Sequence, residues 1–236
     1  MAAGLVLAVL AVSACSADPK ARPAAAPGTV TASAAAASGG LRAGLLTADR
    51  LPPGFRLDTE KVNATTTDPP HTPSPTPIAS MPCSELGVES FMTKHARPVE
   101  DVAVGVTRSP VRDDDIGWSG QEVLDRYAPG QAAEVMAAIR GVAGRCTSYT
   151  DTLPSGEQLQ VTASVTPADP RADDSLLLHI TSTFPGDAAP WVDETAFIRT
   201  GDVILVVQEI VESAPTSGTR DVFAAAVTTY RATASG

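Results

Sequence analysis

The chain has 236 residues, with 27 Asp and Glu against 17 Lys and Arg, for a formal net charge of -10. A surface this acidic is a poor partner for nucleic acid and for anionic lipid headgroups. None of that charge lies in the first 14 positions, so the mature surface carries all of it.

Residues 1–14, MAAGLVLAVLAVSA, are almost wholly apolar, and from Ser16 onward the chain turns polar and proline-rich. About 14 apolar residues fall short of the roughly 20 that cross a bilayer core as a helix. The stretch is therefore read as a signal h-region ending in a small-residue processing site. Val12-Ser13-Ala14-Cys15 resembles the bacterial lipobox. That resemblance implies a thioether-linked diacylglyceryl on Cys15, cleavage before it, and acylation (palmitate) of the new amino terminus. Two or more acyl chains anchor stably where one does not. The expected location is the extracytoplasmic face of the cell membrane. The alternative is a secretory signal cut at a nearby A-x-A-like site. No Lys or Arg precedes the h-region, so a basic n-region is expected upstream of Met1.

From Cys15 to Arg42 the chain is Ala, Pro, Ser, Gly and Thr with little to bury. It reads as a lipid-attached tether, reaching roughly 30 Å as a coil and up to about 85 Å if polyproline-like. Residues 43–233 suit one compact domain.

Within that domain, LLTADRLPPGFRLD gives a short apolar start, a Pro-Pro-Gly turn, and a Phe55/Leu57 alternation that opens a strand. ATTTDPPHTPSPTPIASMP is too proline-rich for a helix or a central strand and reads as a long surface loop or second flexible segment. Its Thr65–Pro77 portion is an expected site of proteolytic nicking and a candidate for O-linked sugars. SELGVESFMTKHA spaces Leu86, Phe91, Met92 and His95 along one side of a helix capped by Ser84. VEDVAVGVTRS alternates as a strand.

SGQEVLDRYAPGQAAEVMAAIRGVAGRCTSY reads as helix, with Ser119 and Glu122 as a capping box and Pro129-Gly130 as an interruption. Val135, Ile139 and Val142 then mark an apolar stripe ending at Gly144. GEQLQVTASVTP, DSLLLHITSTFP and DETAFIRTGDVILVVQEIVES read as strands, the last turning back on itself at Thr200-Gly201-Asp202. A closing helix carries Val222, Phe223, Ala226, Val227 and Tyr230 on one face, with Ser217 or Thr219 as cap. The order favours an α+β fold, a twisted antiparallel β-sheet with helices packed around it, and specifically helices on one face.

With Cys15 used for lipid, Cys83 and Cys146 remain, an even number in an exported chain, and a disulfide between them is expected. Closing a loop of about 64 residues contributes about 4 kcal/mol in the chain-entropy account. Two buried free thiols are the alternative. His71, His95 and His179 show no ligand spacing with either cysteine, so no metal is assigned.

The pieces LLTADRLPPGF, PCSEL, GVAGRCTSY, the successive strands and the closing helix together resemble the PknH-like extracellular sensor domain, over about Leu45 to Thr233. That module occurs on mycobacterial receptor kinases and on free-standing actinobacterial lipoproteins. The resemblance implies an α+β sheet, helices around a cleft for a small ligand, and disulfide bonding. Cys83 and Cys146 match the family's cysteine at the start of the helix after the loop and its cysteine after the long helix. The family's usual second bridge has no counterpart here.

No catalytic constellation stands out. Ser155 in PSGEQ lacks the GxSxG elbow. His179 in LLLHITS reads as a half-buried strand histidine, and His95 as a partner of a helix end. Asp113-Asp114-Asp115 and Asp173-Asp174 lack calcium-loop alternation and read as solvated acidic turns. Trp118 and Trp191 are candidates for a binding surface, with core or lid packing as the alternative. The expected function is a non-enzymatic, membrane-anchored ligand-binding or sensor module, without cofactor, for a small envelope-derived ligand. The alternative is an envelope protein-interaction or structural lipoprotein docking a protein partner. A hydrolase of envelope substrates ranks behind both.

Overall fold

The computed structural model describes residues 40–58, 73–87, 91–112, 115–172, 174–186, 189–209 and 218–234. The signal, Cys15, most of the tether and residues 59–72 of the Thr/Pro stretch lie outside the described residues. Eight strands form one antiparallel sheet in the order β1-β2-β3-β8-β7-β6-β5-β4. They are β1 (Phe55–Asp58), β2 (Glu100–Arg108), β3 (Trp118–Arg126), β4 (Ser148–Thr152), β5 (Gln158–Thr166), β6 (Ser175–Thr183), β7 (Trp191–Thr200) and β8 (Val203–Glu209). The helices are α1 (Phe91–His95), α2 (Gln131–Arg145) and α3 (Gly218–Ala234). The class is α+β, a twisted sheet with helices packed around it.

Helices cover both faces of the sheet rather than one. Side chains alternate along each strand, so each central strand feeds two cores. On one face Val135, Met136, Ile139 and Val142 of α2 pack on Leu176, Leu178, Phe197, Ile204 and Val206. On the other, Val222, Phe223, Ala226 and Val227 of α3 pack on Leu177, Ala196, Ile198, Leu205 and Val207. Burying each of these side chains is worth about 1.5–3 kcal/mol. The segment entering the domain joins the second core through Leu41, Leu45 and Leu46. Gly44 there packs so closely that a Cβ would lie 2.8 Å from the Tyr230 ring.

Four local expectations are corrected. Residues 118–126 are strand, not the first part of a helix, because β3 lies between β2 and β8 with both faces covered. Its buried Gln121, Glu122 and Asp125 hide the two-residue period, and Ser119 and Glu122 are strand residues rather than a capping box. Among the described residues after Cys83, a 3-10 turn spans Cys83–Glu85 and an α-helix covers Phe91–His95, instead of one helix running from Ser84. Gly87, at φ +87°, stands in a conformation that ends a helix. The end of the proline-rich stretch is packed rather than loose: Ile78 and Met81 are buried against α2. Thr219 lies inside α3 and accepts the Trp118 indole N–H at 3.2 Å, while Ser217 lies outside the described residues. The Thr200-Gly201-Asp202 turn joins β7 to β8 as expected, with Gly201 at φ +60°.

Candidate functional site

α2 covers only part of its face of the sheet. Beyond it, strands β4 to β8 leave a cleft of about 280 Å³, walled by the turn at Ser84, Leu86 and Gly87. Strand alternation decides what points into it. Val161 stands beside both Ser182 and Tyr149, and Asp151 stands beside Leu159. Ile180 stands beside Asp193, and Ser182 beside Trp191. The floor is thus Leu159, Val161 and Ile180, with Tyr149 and Asp151 along the edge strand and Asp193 on β7. Phe184, just past β6, closes one end, its ring 6.3 Å from Trp191 in an edge-to-face contact. Glu209 also borders the cleft, but its carboxylate belongs to the opposite face, where its charge supports the Arg108 guanidinium. Burial pushes the Tyr149 phenol up to about 12, and the charges of Asp151 and Asp193 add to the shift.

The wall is pinned at three points. Cys83 is joined to Cys146 at the end of α2, so the expected bridge is present. Glu85 receives the Lys94 ammonium and a His95 ring nitrogen, each at 2.6 Å. The Lys94 hydrogen bond, then that of His95, hold the Glu85 carboxyl below its usual range. The Gln208 amide on β8 donates to the Gly87 carbonyl at 2.9 Å. Arg145 adds a hydrogen bond to the Met81 carbonyl at 2.8 Å. Gly87 stands at φ +87°, a conformation that favours glycine, and a Cβ there would lie 2.3 Å from the Ile180 Cδ1 atom.

The residues singled out from sequence are scattered. His95 joins α1 to the wall: its other ring nitrogen lies 2.5 Å from the Thr76 carbonyl. His179 is half-buried on the α3 face, 3.4 Å from Glu194. His71, Asp113, Asp114 and Asp173 lie outside the described residues. Asp115 is an organiser of its loop, taking a bidentate Arg108 and the amides of Val111 and Gly117. These bonds hold its carboxyl well below the usual range. Asp174 is gripped by Arg140 and Arg199. Trp118 is core; Trp191 is 43% exposed beside the cleft. The cleft residues Tyr149, Asp151 and Asp193 went unread, although Tyr149 and Asp151 share the i, i+2 spacing of one strand face.

No family model matches the chain, and no curated protein matches it. Among solved structures, the chain is similar to the extracellular domain of PknH from Mycobacterium tuberculosis, with a TM-score of 0.46 at 15% identity, covering 81% of this chain and 98% of that one. Among the described residues no helix is long and apolar enough to cross a membrane.

Proposed function

We propose that the chain is an extracytoplasmic binding module, anchored through lipid on Cys15, that holds a small envelope-derived ligand without transforming it. The observation that carries this reading is the cleft over β4 to β8: an apolar floor with a few polar groups, against a wall fixed by a disulfide, an ion pair and an amide. Ligand sites combine an apolar surface with a small number of placed polar groups, and pinning the wall lowers the ordering cost of binding. The Cys15 lipobox and the sequence resemblance to PknH-like sensor domains support the compartment and the class. In this reading the tether carries the domain away from the bilayer, and a signal would pass to another protein.

The interaction-protein reading has one observation of its own. Val111 and Ile116, 76% and 56% exposed, project from the loop between β2 and β3, at the other side of the sheet from the cleft. The test that separates the two uses isotope-labelled methyl groups and a small-molecule extract of the host envelope. Binding in the cleft shifts Leu86, Leu159, Val161 and Ile180 and leaves Val222 and Val227 unmoved. An extract that moves none of the cleft methyls refutes the proposal.

A further inference from the structure

We infer that the segment through which the chain enters the domain, residues 41–46, is a proton-operated strap. It is docked on the sheet while the Glu122 carboxyl beneath it holds a proton, and it is released as that proton leaves. Three observations meet there. The strap buries Leu41, Leu45 and Leu46 in the core it shares with α3, while Arg42 and Ala43 stay exposed. Its Leu46 amide donates to the Glu122 Oε2 atom at 2.7 Å. Glu122 is itself fully buried, and its Oε1 atom has no hydrogen-bond partner among the described residues. A carboxylate with a single hydrogen bond in an apolar site is costly, so the docked strap favours the protonated acid. Lifting the strap lets water reach the carboxyl and hydrate the anion. The chain beyond is held separately: Leu51, Phe55 and Leu57 pack on the same core and β1 pairs with β2, which leaves the exposed turn at Thr47–Arg50 as the hinge.

The charged groups around Glu122 are engaged elsewhere or face water. Its cross-strand neighbours are Val104 on β2 and Val207 on β8. On the same face, Arg126 of β3 pairs with Glu100 of β2 at 2.9 Å. Arg108 of β2 is taken by Asp115, with Asp221 and the Glu209 of β8 adding to its field. From α3, Tyr230 is half-buried against Gly44, while Arg220, Asp221 and Arg231 are exposed. On the strap side Arg42, Asp49 and Arg50 are exposed as well. Burial accordingly pushes the Glu122 carboxyl up to about 8, the Leu46 hydrogen bond opposing only in part. With the strap lifted and the carboxyl in water, the ordinary value of 4.5 applies. Docking is therefore strongest below about pH 4.5 and weakens as pH rises toward 8, by about tenfold per pH unit at most. Six released residues add about 20 Å of extended chain to the tether.

Amide hydrogen exchange at Leu46 and at Leu205, in the middle of β8, tests the strap in the full chain carrying Cys15→Ser. Rates at about pH 5, 6 and 7 are expressed as protection relative to the unfolded chain. Leu46 is expected to be less protected than Leu205 and to ignore urea well below the unfolding midpoint, the mark of a local opening. Its protection should fall at least about tenfold between the lowest and highest pH. Glu122→Gln keeps an acceptor for Leu46 and should hold that protection within about twofold over the same range. Asp125→Asn, on the opposite face of β3, should leave the Leu46 loss in place. Equal protection and equal urea dependence at Leu46 and Leu205 in the wild type would mean that the strap opens only when the whole domain unfolds, and would overturn the inference. Leu46 protection that does not change with pH would overturn it too. A loss that persists in Glu122→Gln would remove Glu122 as the controlling proton.

Discussion

Glu122→Gln should make the fold more stable at neutral and mildly alkaline pH and flatten its pH dependence. Glu122 is fully buried on β3, under the segment that enters the domain, and one of its oxygens accepts the Leu46 amide at 2.7 Å. Its other oxygen has no hydrogen-bond partner. Burial pushes its carboxyl up to about 8, the Leu46 hydrogen bond opposing only in part. A folded-state value above the unfolded one means that the native state holds a proton the unfolded chain has released. Stability from this group is therefore full below about pH 4.5 and falls as pH rises toward 8, by about 1.4 kcal/mol per pH unit. Over two and a half units to pH 7, that is about 3 kcal/mol. Asp125, also pushed to about 8 by burial with Asp101 across from it on β2, adds a slope of the same sign. The ion-paired carboxyls Glu85, Asp115, Asp169 and Asp174 are lowered instead, so their contributions are lost only as pH falls below the ordinary carboxylate range. The window from about pH 5 to 8 thus isolates the buried pair. Glutamine keeps an acceptor for Leu46 and carries no charge. Urea unfolding followed by the fluorescence of buried Trp118 should give the variant roughly half the wild-type slope across that window. Equal slopes in the two proteins would refute the argument.

Three further outcomes are expected, two from contacts in the structure and one from the Cys15 lipobox. Denatured, unreduced protein should offer no thiol at Cys83 or Cys146 to an alkylating reagent, and Cys83→Ser with Cys146→Ser should lower stability by about 2–5 kcal/mol in urea titrations. Gly87→Ala should cost about 1–3 kcal/mol, because a side chain at φ +87° would be driven into Ile180, and its damage should centre on the cleft methyl signals. Cys15→Ser should move the protein from the membrane pellet to the soluble fraction, and a protein that still pellets after a high-salt wash would remove the lipid anchor from the account.

The sequence reading succeeded where one face of an element stays polar. β5 alternates cleanly, with Leu159, Val161 and Ala163 inward and their neighbours exposed. The stripe of α2 and the hairpin from β7 to β8 were equally plain. It failed where burial is two-sided or glycine decides. β3 buries Gln121, Glu122 and Asp125 together with Leu124, so its pattern mimics a capped helix. Leu86 keeps helical spacing with the residues after it, yet Gly87 ends the turn. β4 has no counterpart among the sequence expectations, because five residues show only two periods of alternation. The two cysteines marking the wall were legible. The cleft was not, since its lining comes from five strands between residues 149 and 208 that only the sheet order brings together.

The most direct test of the binding module is native mass spectrometry of the protein released from the membranes of its own host, beside a Ser182→Trp variant that fills the cleft floor. The account predicts an added small-molecule mass on the wild type and its loss from a variant that still unfolds cooperatively. Wild-type protein carrying only its own polypeptide and acyl mass, or an added mass that survives Ser182→Trp, would contradict it.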